Sequence, residues 1–267
     1  MIPLQKLATL PRSQRLRKTA SIIRNAEHRL VVTGKLFPEE TDYLEKLILY
    51  LPGDIIFPEP AAMALEKIKL NMLSESGKKE FRRSLNTVYH ILQTETGRYQ
   101  ADWDFIEQSG ALDVSKRNPF PGMQVYLDEI RSPFNVGSMF RAAESFGAEK
   151  IWLSPLCADP RHKRAERTAM GCVDVLPWER IGFNSLSGPF FALETGGIPL
   201  ADFNFPLKGI MIAGSEELGV SPEALAAADA SLGRVSIPGY GVKASLNVSV
   251  AFGIVMQCWS AFLHNCK

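Results

Sequence analysis

The sequence predicts an α/β fold built on a largely parallel sheet, preceded by a small helical N-terminal domain. Two patterns along the 267 residues carry this reading. Apolar residues spaced by three and four dominate the first part, whereas short apolar runs alternate with helix-like stretches in the second. The division places a helical domain at residues 1–115 and the α/β domain at 118–267. Hydrophobic residues make up 46% and charged residues 22%, which excludes a disordered or fibrous chain.

In the helical part, Pro11-Arg12-Ser13 opens residues 13–32, with Leu16, Ala20, Ile23 and Ala26 on one face and the basic residues largely elsewhere. Pro38-Glu39-Glu40-Thr41 reads as a second helix start, ended by Pro52-Gly53. Further helical tracts are expected over 60–72 and, after a break at 74–77, over 78–95. No catalytic constellation lies here.

In the second part the expected strands are MQVYLDEI (123–130), KIWLSP (150–155), FFALET (190–195), GIMIAGS (209–215) and GRVSIP (233–238), with a helix from Asn135 to Phe146 after the first. Strands separated by helices indicate βαβ units and a parallel sheet, whose ligands bind in the loops at the carboxyl ends of the strands.

The net charge of +1 hides an asymmetry: residues 1–35 hold eight Lys or Arg against one acid, Glu27. That basic arm, with Arg12, Arg15, Arg17 and Lys18 at its centre, suits either a polyanion or a solvated helix face. Cys157, Cys172, Cys258 and Cys266 form no C-x-x-C pair and have no histidines at ligand spacing, so no metal site is expected and reduced thiols in a cytoplasmic protein are. MIPLQKLATLPRSQRLRK lacks the apolar core of a secretory leader. Residues 245–263 are apolar enough to suggest a membrane span, but Ser245, Asn247, Ser249, Gln257 and Ser260 interrupt them. A buried helix starting near Ser245, covered on several sides with a subunit interface among them, is the reading.

Three loops carry the polar residues. In residues 131–141, Asn135 reads as a helix N-cap, Gly137 permits close backbone or phosphate approach, and Arg141 falls within the first two helical turns. Taken alone, these are a capping Asn and a surface Arg. In residues 210–221, Gly214 and Gly219 bracket a loop with Glu216, and its amides are expected to be open to a ligand; the absence of G-K-[ST] excludes a P-loop. In residues 237–251, a strand ends at Pro238, a glycine-rich loop follows, and Ser245 is the expected N-cap of the last helix. Asn247, near the start of a buried helix, needs a specific hydrogen-bond partner.

Read together, N-x-G-x-x-x-R (Asn135 to Arg141), G-S-E-x-x-G-x-S (Gly214 to Ser221) and I-P-x-x-G-x-x-x-S-L-N-V-S-V-A (Ile237 to Ala251) resemble the three motifs of the TrmH-like (SpoU) family of SPOUT methyltransferases. The resemblance runs from Val125 to the C-terminus and is specific, because three separate loops agree in order and spacing; the helical residues 1–115 lie outside it, in the place where family members carry RNA-binding extensions. It implies a knotted (trefoil) SPOUT domain, a homodimer packed through the last helix, S-adenosyl-L-methionine as cofactor, and methylation of a ribose 2′-hydroxyl in tRNA or rRNA. The implied cofactor pocket comprises Thr195, Gly196, Gly214, Ile237, Pro238 and Leu246. The implied catalytic set is Arg141, Asn135, Glu216, Ser245 and Asn247, with no metal and no membrane. A guanidinium is a poor base, so Arg141 is expected to bind the neighbouring phosphate and stabilise a developing alkoxide. One position departs from the family: Gly239 stands where methionine usually follows I-P, which leaves that pocket wall smaller. Methylation of a base nitrogen, or RNA binding without catalysis, are the alternatives.

Overall fold

A computed structural model describes residues 2–54, 78–97, 112, 114–242 and 245–266. The chain divides into two compact units, Met1–Ser109 and Gly110–Lys267. The helix expected over 60–72 and the break at 74–77 lie outside the described residues.

The described part of the first unit is helical: α1 (Leu4–Ala8), α2 (Arg12–Thr33), α3 (Pro38–Asp54) and α4 (Lys78–Glu95). The apolar stripe of α2 (Leu16, Ala20, Ile23, Ala26, Leu30) meets Leu44, Leu47, Ile48 and Leu51 of α3 and Leu85, Val88 and Leu92 of α4. Gly34 stops α2 in the left-handed region at φ 71°, where glycine carries no Cβ penalty. Pro52-Gly53 does not end α3, which continues to Asp54.

The second unit contains β1 (Met123–Leu127), α5 (Pro133–Ser145), β2 (Lys150–Leu153), α6 (Lys163–Ala169), α7 (Cys172–Val175), β3 (Trp178–Arg180), β4 (Phe190–Pro199), β5 (Gly209–Ala213), α8 (Pro222–Asp229), β6 (Arg234–Ser236) and α9 (Val248–Asn265). The six strands form one sheet in the order β3-β2-β1-β5-β4-β6, and every pairing is parallel. Both faces are covered, as a parallel sheet requires. Met123, Val125, Leu127 and Met211 face a core shared with Phe140 of α5 and Phe252, Met256 and Trp259 of α9. Tyr126, Ala192, Ile210 and Ile212 point the other way, onto Ala224 and Ala228 of α8.

Two helix starts differ from the sequence expectation, and both differences matter for the site. Helix α5 begins at Pro133 with Ser132 as its cap, so Asn135 is not the cap and Arg141 falls in the third turn. Helix α9 begins at Val248 with Asn247 as its cap, two residues after Ser245. In each case the nearest side-chain oxygen able to reach the first free amides takes the cap. Helix α9 buries Ser249, Phe252, Val255, Met256, Trp259 and Leu263 on one face and leaves Val250 and Ile254 exposed on another. Coverage on several sides is therefore not met within one chain.

Strand β4 also runs past the expected Thr195. Its pairing with β6 slips between Leu193 and Ile198, so Thr195 and Gly196 sit on a bulge within the strand. No described helix is long and apolar enough to cross a membrane.

Candidate active site

The bulge of β4, the carboxyl ends of β5 and β6 and the start of α9 enclose a cleft of about 750 Å³. Of the six expected cofactor residues, Thr195, Gly214, Ile237, Pro238 and Leu246 line it, and Gly196 does not. Glu216, Ser245 and Asn247 line it as well. Its walls combine glycine backbone, aliphatic side chains and three carboxylates (Glu194, Glu216, Glu217), and no Lys or Arg is among its described lining residues.

A polar relay joins residues from all three loops beside this cleft. Asn247 Oδ1 accepts from the amides of Ser249 (2.9 Å) and Val250 (3.3 Å), which leaves its Nδ2 to donate to Asn135 Oδ1 at 3.2 Å. Asn135, 4% exposed, then donates from Nδ2 to Glu216 Oε1 at 2.7 Å. Each amide orientation follows from the previous one, and the series ends on a group that must accept. Glu216 also receives the Arg131 amide on Oε2 (3.0 Å) and the Ser132 amide on Oε1 (3.1 Å). Burial pushes the Glu216 carboxyl upward, but the bonds from Arg131, Asn135, its own amide and Ser132 outweigh this and hold it below the usual carboxylate range.

That direction fixes a pH dependence. A carboxylate whose folded pKa is depressed contributes stability above its unfolded pKa and loses it as pH falls through the folded value. Ligand binding measured against pH should therefore hold through the ordinary carboxylate range and fail only below it. Glu216→Gln should weaken binding at neutral pH, because its new NH2 group meets the Arg131 or Ser132 donors, and should flatten the acid limb. An unchanged acid limb in that variant would place the titration elsewhere.

Asn247 caps α9 and orders Asn135, and two variants separate these roles. Asn247→Ala removes both, so a loss of about 1–2 kcal/mol from the cap is expected, seen as a lower Tm. Asn247→Asp keeps an oxygen for the α9 amides but turns a second oxygen toward Asn135 Oδ1. Its Tm should stay near that of the parent while ligand affinity or turnover falls. Equal behaviour of the two variants in both measurements would leave no role for the relay.

The loop after β5 is less open than expected. Ser215 and Gly219 exchange backbone hydrogen bonds (2.9 and 3.0 Å), and the Leu218 amide donates to Ser215 Oγ. Two carboxylates, one within β4 and one just past β1, pin the next amides: Glu194 Oε2 accepts Val220 N–H at 3.2 Å, and buried Asp128 Oδ2 accepts Ser221 N–H at 2.8 Å. These amides shape the loop and are not free for a ligand. Sequence reasoning missed Asp128 and Glu194; their signal was an acid directly after the apolar run of a strand. Gly137 serves a backbone approach, since a Cβ there would lie 2.3 Å from the Ala165 carbonyl oxygen of α6.

Arg141 does not line the cleft. Its guanidinium contacts the Met170 sulfur, a weak acceptor, and no carboxylate pairs with it among the described residues. Met170 holds the left-handed conformation (φ 55°) that closes α6. In the first unit, Arg12 pairs with Glu95 at 2.8 Å, and Arg15 donates to the Ala8 and Leu10 carbonyls (2.8 Å each). Arg17 and Lys18 are exposed. Among the described residues, no group of three or more His, Cys, Asp or Glu is placed to hold a metal.

Residues 122–257 match the model of the SpoU rRNA methylase family, about half of the chain. An uncharacterized tRNA/rRNA methyltransferase of Synechocystis is 29% identical over 168 residues, covering 56% of this chain and 60% of that protein. A tRNA (guanosine(18)-2′-O)-methyltransferase of Aquifex aeolicus is 26% identical over 144 residues, covering 49% and 65%. The chain thus spans less than two thirds of the length of these relatives. An AdoMet-bound rRNA methyltransferase from Sinorhizobium meliloti shares the fold at a TM-score of 0.50 and 21% identity, covering 70% of this chain and 78% of that one.

Proposed function

Because the chain belongs to the SpoU rRNA methylase family, we propose that it methylates a ribose 2′-hydroxyl in tRNA or rRNA, using S-adenosylmethionine. The observation that carries this reading is the relay Asn247–Asn135–Glu216, which links residues 112 and 81 positions apart at the edge of one cleft. The cleft suits that cofactor: its volume lies in the range of small-molecule sites, and its carboxylates favour a cation and disfavour a nucleotide polyphosphate. Thr195, Gly214, Ile237, Pro238 and Leu246 would hold the cofactor, with Gly239 leaving room beside Pro238. When bound, S-adenosylmethionine supplies a methyl group activated by its sulfonium charge.

The chain's own residues would then act mainly by positioning. Glu216 and Asn247 fix the buried Asn135, and Ser245, on the cleft wall, would border the space for the ribose. Arg141, always charged and unpaired with any described carboxylate, would bind the phosphate beside the target and stabilise negative charge developing on the attacking oxygen. Family membership also supports the trefoil knot and a homodimer packed through α9, whose exposed Val250 and Ile254 would be covered by a second copy. In the first unit, Arg12, Arg15, Arg17 and Lys18 would contact the RNA; Arg17 and Lys18 are exposed, and Arg17 donates to the Ser13 carbonyl at 3.0 Å.

Methyl transfer from labelled S-adenosylmethionine to total tRNA and, separately, to rRNA tests the proposal, followed by nucleoside analysis. A labelled 2′-O-methylnucleoside is the expected product. A methylated base would overturn the ribose assignment, and cofactor binding without transfer to either RNA would favour a non-catalytic RNA binder.

A further inference from the structure

Helix α6 carries a basic face that the functions assigned above leave unused. Residues 161–167 read Arg-His-Lys-Arg-Ala-Glu-Arg, four cations against one acid. Ala165 and Ala169, one turn apart, are buried. The close approach at Gly137, 2.3 Å from a would-be Cβ to the Ala165 oxygen, seats this helix directly on α5. Lys163 and Arg167 are also one turn apart, on the opposite side of α6, and both are exposed. Neither side chain has a hydrogen bond or ion pair among the described residues. Arg161 differs, since Asp174 and Glu166 hold it.

Helix α5 relates this face to the cleft. Asn135 in its first turn joins the relay, Gly137 lies under Ala165, and Arg141 meets Met170 at the end of α6. At 1.5 Å per residue, Asn135 and Arg141 are only about 9 Å apart along the axis. The described lining of the cleft offers three carboxylates and no cation, so a polyanion cannot be held inside it. Resting on the RNA methyltransferase reading, we propose that Lys163 and Arg167 bind the phosphate backbone of the substrate RNA and hold it beside the cleft, in line with Arg141.

The test uses the full chain, with total tRNA and rRNA as probes across a salt series. Each phosphate contact adds close to one unit of slope in log affinity against log salt. For Lys163→Glu/Arg167→Glu, RNA affinity should fall tenfold or more and the slope should flatten by between about one and two units. KM for RNA should rise while kcat at saturating RNA and S-adenosylmethionine binding stay near the parent values. Lys208→Glu, exposed at the amino end of β5, should change none of these. If the double reversal loses cofactor binding, Lys163→Gln/Arg167→Gln supplies the same slope measurement without like-charge strain. A parent protein that binds and methylates RNA, with variants matching its affinity and slope, overturns the α6 assignment alone. A parent that neither binds nor methylates either RNA overturns the underlying reading and this one with it.

Discussion

Arg141→Ala should lower methyl transfer by about 10²–10³-fold, the loss typical of removing one preorganised charge from a transition state. S-adenosylmethionine binding should stay near the parent value, because Arg141 stands outside the cleft, in the third turn of α5. Arg141→Lys is the more informative companion. It keeps the charge but loses the planar fork that grips two phosphate oxygens, so its rate should fall between the parent and the alanine variant. A simple helix-surface role predicts three proteins with the same rate and small differences in Tm. Single-turnover rates with saturating cofactor, alongside calorimetric cofactor affinity, decide the matter. Normal turnover by Arg141→Ala would remove the residue from the site.

Two of the strands that build the cleft, β4 and β5, were legible because each opens on a dense apolar run. Ile210 to Ala213 is buried throughout and Phe190 to Leu193 is buried at Phe191 and Ala192 and half-buried at its ends, and such strands announce themselves without alternation. Strand β3 was not legible: Trp178, Glu179 and Arg180 are three residues with two charges, and they become a strand only because β2 offers a free edge. Helix starts misled for a related reason. Ser132, Asn135, Ser245 and Asn247 are all competent caps, and only the tertiary geometry selects Ser132 and Asn247.

The site was legible as three loops but not as a network. Nothing in the spacing of Asn135, Glu216 and Asn247 indicates that the middle amide both accepts and donates. That depends on Ser132 taking the α5 cap, which frees the Asn135 side chain for the relay. Likewise Gly214 and Gly219 read as a ligand loop; both line the cleft, and their small size also lets the chain fold onto itself there, which the spacing did not indicate. Glu194 within β4 and Asp128 just past β1 complete that fold, at separations of 26 and 93 residues.

Gly214→Ala follows from that packing and should be the most disruptive single substitution in the second unit. A Cβ at 214 would lie 2.1 Å from the Val220 nitrogen, 2.2 Å from the Gly219 carbonyl carbon and 2.4 Å from its oxygen. All three are backbone atoms, so no rotamer change relieves the clash and the 214–220 turn has to open. Gly219 cannot yield easily: it holds φ 70°, and a Cβ there would stand 2.5 Å from Glu194 Oε2. Opening the turn draws Val220 from Glu194, Ser221 from Asp128 and Glu216 from Asn135, so loop shape and relay fail together. The expected result is about 3 kcal/mol or more of destabilisation, read as a Tm lower by several degrees. S-adenosylmethionine binding should fall below detection. Gly182→Ala is the matched comparison, with nothing within 4 Å of its would-be Cβ, and should leave both quantities unchanged. If Gly214→Ala binds cofactor as the parent does, the turn is pliable, and the carboxylate pins at Glu194 and Asp128 do not define the cleft.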